Sequence, residues 1–117
     1  MPGNDVLDLA RLEEAFEDDT AGIAELLEMA LDTGVKHTRA LEQGVAAGDA
    51  EMVRRAAHAI KGSAGNVGAN AVMQLADELE GRARVGNLDG AAQRVNAIAA
   101  AYARVAQEVR AYRARVG

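Results

Sequence analysis

At 117 residues and 12.2 kDa, with no cysteine, no tryptophan and one proline, the chain can bury a core as one small domain but cannot staple it with disulfides or thiolate-bound zinc. Half of its residues are hydrophobic but only 3% are aromatic, and alanine alone supplies 27, which suits close helix packing and leaves a sheet core short of β-branched and ring side chains. The net charge of −5 divides unevenly: residues 1 to 53 hold 13 acidic against three basic side chains, residues 54 to 117 hold five against ten, and an acidic chain this poor in rings is not composed for nucleic acid.

No apolar run is long enough to span a bilayer, and Met1 to Asp8 has neither the basic region nor the hydrophobic stretch of a signal peptide, so a soluble cytoplasmic protein is expected. Apolar residues recur at helical spacing almost throughout. Asp8 to Phe16 predicts a short amphipathic helix, and after the acidic break at Glu17, Asp18 and Asp19 a second helix begins, with Thr20 as its N-cap and Ile23, Leu26, Leu27, Ala30, Leu41 and Val45 along its apolar stripe. Gly34 inside it marks a kink or a close contact. Gly48 stops that helix and Asp49 caps the third, which runs to about Val67 and ends at Gly68.

The fourth helix is predicted from Asn70, as N-cap, to Arg84 or Val85. After a Gly86-Asn87 turn, Leu88, Ala92, Val95, Ile98, Tyr102, Val105, Val109 and Tyr112 keep steps of mostly three and four, and Arg110, Arg113 and Arg115 suit the negative pole of the last helix. No linker or repeat divides the chain. The expected fold is all-α, one domain over residues 1 to 117: an antiparallel up-and-down four-helix bundle with a short N-terminal helix laid across it.

One stretch departs from ordinary bundle sequence: His58-Ala59-Ile60-Lys61-Gly62-Ser63-Ala64-Gly65-Asn66-Val67-Gly68. Glycine inside a helix costs about 1 kcal/mol relative to alanine, so interior glycines in an alanine-rich chain ask for a reason. Projected at about 100° per residue, Met52, Val53, Ala56, Ile60, Ser63, Ala64 and Val67 share one face, and Glu51, Arg54, Arg55, His58, Lys61, Gly62 and Gly65 share the other. The outer face thus combines an imidazole, three cations and two positions without a side chain. Lys61, one turn from His58, can reach a group attached to the ring, while Gly62 and Gly65 clear the surface for another molecule. A phosphoryl group fits that arrangement.

Residues equidistant from the turn of a helical hairpin lie at the same height. With the turn near Ala69, His58 faces Glu80, which the core stripe of Val72, Leu75, Ala76, Leu79 and Ala83 places on the flank beside the third helix. A carboxylate there can accept from Nδ1–H of His58 and leave the Nε2 lone pair toward solvent. The same reasoning brings Arg84 near the height of Arg54, so His58 is expected in a basic collar with one acid behind it.

His58-Ala59-Ile60-Lys61-Gly62-Ser63, followed by Gly68, resembles the phosphoacceptor motif of histidine-containing phosphotransfer domains, and the predicted helices match that fold over roughly residues 5 to 113. The resemblance implies phosphorylation of His58 at Nε2, charge neutralisation by Lys61, access through Gly62 and an orienting role for Glu80. It implies reversible exchange with an aspartate of a response-regulator receiver domain, supplied from a hybrid or sensor histidine kinase. Mg²⁺ is expected on the receiver, and this chain is expected to hold no cofactor or metal and to have no autonomous kinase activity. Docking contacts are expected at Arg54, Arg55, Ala57, Ala59, Gly65 and Arg84.

Other readings have less behind them. His37, between Lys36 and Thr38, is read as structural or incidental, and Ser63 as bonding back to the Ala59 carbonyl rather than acting as a nucleophile. Lys61-Gly62-Ser63 reverses the order of a phosphate-binding loop, the glycine spacing makes no dinucleotide fingerprint, and no helix offers the Glu-x-x-His pair of a di-metal bundle. The alternative function is a non-catalytic helical module that binds a receiver or kinase domain. The start at Met1 and the finished last helix lead to the expectation of a free-standing chain rather than a piece of a larger kinase, and a small bundle with a charged exterior to that of a monomer.

Overall fold

A computed structural model describes residues 6–117, so the first five residues of the stretch read against a signal peptide lie outside the described residues. Five helices account for it: α1 (Leu9–Ala15), α2 (Thr20–Ala47), α3 (Ala50–Asn66), α4 (Asn70–Arg84) and α5 (Ala91–Val116), with no strand among the described residues. α2 packs on α3 and α5, and α4 packs on the same two, so four helices close a ring around one core while α1 rests on α2. The 28 residues of α2 make about 42 Å of helix at 1.5 Å per residue, which matches the long dimension of 43 Å. No helix of the described residues is long and apolar enough to cross a membrane.

The connections are short because the helix ends satisfy themselves. α2, α3 and α4 each run out into a glycine in the left-handed region, Gly48, Gly68 and Gly86. Beyond each, an amide donates back to a carbonyl of the last turn: Asp49 to Gly44, Ala69 to Ala64 and Asn87 to Arg82, at 2.8 to 2.9 Å. Asp49 also caps α3 through Met52 N at 3.1 Å, as its position in sequence indicates. Two other caps move by one residue. Asp19, not Thr20, accepts from Gly22 N at 3.0 Å, and α4 is preceded by Ala69, which offers no capping side chain, with Asn70 already helical.

The last helix starts later than its stripe suggests. Asn87 Oδ1 accepts from Asp89 N at 3.0 Å, holding residues 87 to 90 in a turn that keeps Leu88 out of α5. The stripe then reads Ala91, Val95, Ile98, Tyr102, Val105, Val109 and Tyr112, with Ala91 buried in place of Ala92. These alternating steps of four and three give the seam of a shallow-angle bundle. On α2, Gly34 and Gly44 join Ile23, Leu27, Ala30 and Leu41 in the buried set, and Leu26 and Val45 are only partly covered.

α1 closes the α3–α4 end. Asp8 N donates to Gly68 O at 3.2 Å, and Arg11 donates at 3.1 Å to Gly65 O, which also accepts from Gly68 N at 3.3 Å. A Cβ on Gly68 would stand 2.7 Å from Asp8 Cβ, so glycine is required there by space as well as by its φ of 70°.

Of the two readings of Gly34, close contact is the one realised: a Cβ there would lie 2.5 Å from Cε1 and Cζ of Tyr102. Gly81, by contrast, has nothing within 4 Å of the same position. Gly81→Ala is therefore expected to stabilise the fold by about 0.5–1 kcal/mol, whereas Gly34→Ala should destabilise it by about 1–3 kcal/mol through overpacking. Denaturant midpoints of the two variants check the opposite signs.

Candidate functional site

The α3–α4 hairpin sets the site by its register. His58 meets Glu80, Lys61 meets Asp77 and Gly65 meets Met73, three rungs equidistant from Ala69. His58 Nδ1 lies 2.8 Å from Glu80 Oε2, on a ring that is 66% exposed, while the Glu80 side chain is 2% exposed. Glu80 is thus sunk into the core rather than left on the flank of α4. Because a carboxylate can only accept, Nδ1 carries the proton and donates, so in the neutral ring the lone pair lies on Nε2.

A buried carboxylate needs donors to replace lost water. Arg84 donates to the same Oε2 at 3.0 Å, and Lys61 Nζ stands 2.8 Å from Oε1 as an ion pair off the hydrogen-bonding direction. Lys61 draws the Glu80 carboxyl below its usual range, burial opposes, and the His58 contact adds to the lowering. Glu80 and then Asp77, whose Oδ1 is 3.3 Å from Nζ, raise the affinity of Lys61 for its proton. Gly62 lies on the exposed side of the helix, and a Cβ there would meet nothing within 4 Å.

Several expectations change. Ala57, assigned to docking, is fully buried and belongs to the core, because α3 presents Ala56 and Ala57 together to its neighbours; Ala59 is half-exposed beside the site. Gly65 does not clear an open surface: its missing side chain admits Met73, whose Sδ would lie 3.3 Å from a Cβ, and its carbonyl serves Arg11. Ser63 is half-buried in a groove with Met29, Thr33 and Asn66, and no bond to the Ala59 carbonyl is formed among the described residues. His37 is half-buried near Met52 and Arg55 and takes no part in the Glu80 cluster.

The collar is also less basic than its sequence suggests. Glu51 accepts from Arg54 at 2.8 and 2.7 Å and from Arg55 at 3.0 Å, and the two guanidiniums hold its carboxyl at about 2. The cations Arg54, Arg55, Lys61 and Arg84 therefore stand among three carboxylates, Glu51, Asp77 and Glu80. Asp77 and the pairing role of Glu51 were missed. The signal for Asp77 was present, since the register that pairs His58 with Glu80 pairs Lys61 with Asp77. The signal for Glu51 was its spacing of three and four residues from the two arginines.

The sign of the acid dependence follows from Glu80. Its carboxyl is held below the ordinary value of 4.5, so it contributes stability above that pH which is lost as the pH falls through its folded value. Urea unfolding from about pH 6 to about pH 3 should show a steeper loss for the wild type than for Glu80→Gln; equal slopes would remove Glu80 from the acid response.

The Hpt domain family model matches residues 25–108, a span that includes His58, Lys61, Asp77, Glu80 and Arg84. Among solved structures, histidine-containing phosphotransfer protein B from Pseudomonas aeruginosa PAO1 is similar over 93% of this chain and 92% of that one, at 31% identity and a TM-score of 0.84. Comparison with curated proteins gives no match. Fold, motif and family model agree, and the chain belongs to the Hpt domain family, the histidine phosphotransfer components of phosphorelays.

Proposed function

We propose that His58 is the phosphoacceptor, exchanging a phosphoryl group between its Nε2 and an aspartate of a response-regulator receiver domain. The observation that carries this reading is the 2.8 Å contact from Nδ1 of an exposed imidazole to a buried carboxylate, which fixes one tautomer and leaves the other nitrogen free to react.

In the accepting direction, Nε2 attacks the phosphorus of the aspartyl phosphate. The P–N bond forms as the P–O bond breaks, the aspartate carboxylate leaves with the bonding pair, and Nδ1 keeps its proton. The ring then carries a positive charge, which Glu80 offsets across the Nδ1 hydrogen bond. Lys61 neutralises charge on the transferred group, and Gly62 leaves room for the receiver's backbone. Most of the catalysis is positioning, as expected for a loose phosphoryl transition state.

Arg54, Arg55, Ala59 and Arg84 form the proposed docking rim, complementary to an acidic receiver pocket whose Mg²⁺ belongs to the partner. The donor is a hybrid or sensor histidine kinase. The chain itself works as a cytoplasmic monomeric phosphocarrier without kinase activity of its own, one domain over residues 1–117, its helices running up and down as an antiparallel four-helix bundle crossed by α1.

Labelled phosphoryl transfer from a phosphorylated receiver or an active hybrid kinase tests the assignment. Wild type should take up acid-labile label and His58→Gln none; transfer that survives His58→Gln overturns it. Lys61→Ala should slow transfer by about ten- to a hundred-fold, the loss of one charge-assisted contact, with helicity by circular dichroism unchanged, and an unaltered rate would remove the electrostatic role of Lys61.

A further inference from the structure

Lys61 is paired with two carboxylates, one of which also binds the Nδ1 edge of the imidazole. Glu80 accepts from Nδ1, and the same carboxylate holds Lys61 Nζ 2.8 Å from its other oxygen, while Asp77 Oδ1 holds it from one turn earlier on α4 at 3.3 Å. The reacting lone pair lies on Nε2, across the ring. A phosphoryl group there brings up to two negative charges within reach of the same flexible stem, so Lys61 must loosen one set of partners to meet the other.

The two carboxylates do not hold it equally. Glu80 is buried and has His58 and Arg84 as further partners. Asp77 is 67% exposed and makes the longer contact, so water can replace the ammonium at little cost when the pair opens. Both contacts favour the charged ammonium, and only one of them is readily surrendered.

We propose that Asp77 is a positioning residue that restrains Lys61 while His58 is unphosphorylated and yields it when Nε2 carries a phosphoryl group, so that the Asp77–Lys61 pair sets how firmly phosphohistidine is held. This rests on His58 being the acceptor. Asp77 touches neither the ring nor the phosphoryl group; it acts through Lys61 alone. Weakening the restraint leaves Lys61 free for the phosphoryl group and shifts the exchange equilibrium toward phosphohistidine.

The full chain is charged with inorganic phosphoramidate and mixed with a Mg²⁺-loaded receiver domain, and the equilibrium ratio of phosphohistidine to aspartyl phosphate is measured. Asp77→Asn should raise that ratio about two- to five-fold, the range open to an exposed ion pair. In a Lys61→Ala background the same substitution should change nothing, and Asp77→Glu should restore the wild-type ratio. A ratio unaltered by Asp77→Asn overturns the proposal. So does a rise that persists without Lys61, which would assign the effect to removal of a negative charge in general. A wild-type chain that takes up no label overturns the His58 assignment itself, an outcome distinct from a labelled wild type with an indifferent Asp77→Asn variant.

Discussion

A carboxylate placed in an apolar core loses several kcal/mol of hydration unless donors replace the water, and the donors to Glu80 come from both helices of one hairpin. His58 donates to it from α3 and Arg84 from α4, and Lys61 of α3 pairs with its other oxygen as an ion. The residue therefore ties folding to chemistry. If α3 and α4 slipped by a residue, the carboxylate would keep Arg84 of its own helix but lose His58 and Lys61, and the imidazole would lose the contact that selects its tautomer. What orients the histidine and what makes a buried charge tolerable are the same set of bonds.

That dependence explains the use of small residues around it. Close approach of α3 and α4 lets a two-atom hydrogen bond, rather than a water, connect ring to carboxylate. Gly65 admits Met73 on the rung nearest the turn, and Gly44 admits Val53 where α2 crosses α3, each where a Cβ would collide or press. α1 then pins the carbonyls of Gly65 and Gly68, so the helix bearing His58 has a closed end. Beside these packing glycines, Gly62 stands apart in facing open space.

The helices and their turns were readable because glycine and aspartate punctuate an otherwise uniform helical pattern, and the Glu80 partner was readable because hairpin height is simple arithmetic. Cap positions at Thr20 and Asn70, and the start of α5 at Leu88, were not, since neighbouring residues competed for the same role and only local hydrogen bonds decided between Asp19 and Thr20. Ala57 was misplaced because one-helix projection does not say how wide the buried arc becomes when helices pack on both sides. The neutralisation of the arginines escaped a count of cations along a face: charge at a site depends on which acids the side chains reach, and Glu51 reaches two.

The functional groups from Glu51 to Arg84 all lie on one helical hairpin joined by a three-residue link, which has a kinetic meaning. Contacts between residues close in sequence cost little loop-closure entropy and form quickly. The rungs from Gly65·Met73 out to His58·Glu80 can therefore close in succession from the turn, like a zip, before the distant α2–α5 contacts are made. In this protein the reactive centre belongs to the most local part of the topology, and the long outer helices serve to hold a geometry that the hairpin can already specify.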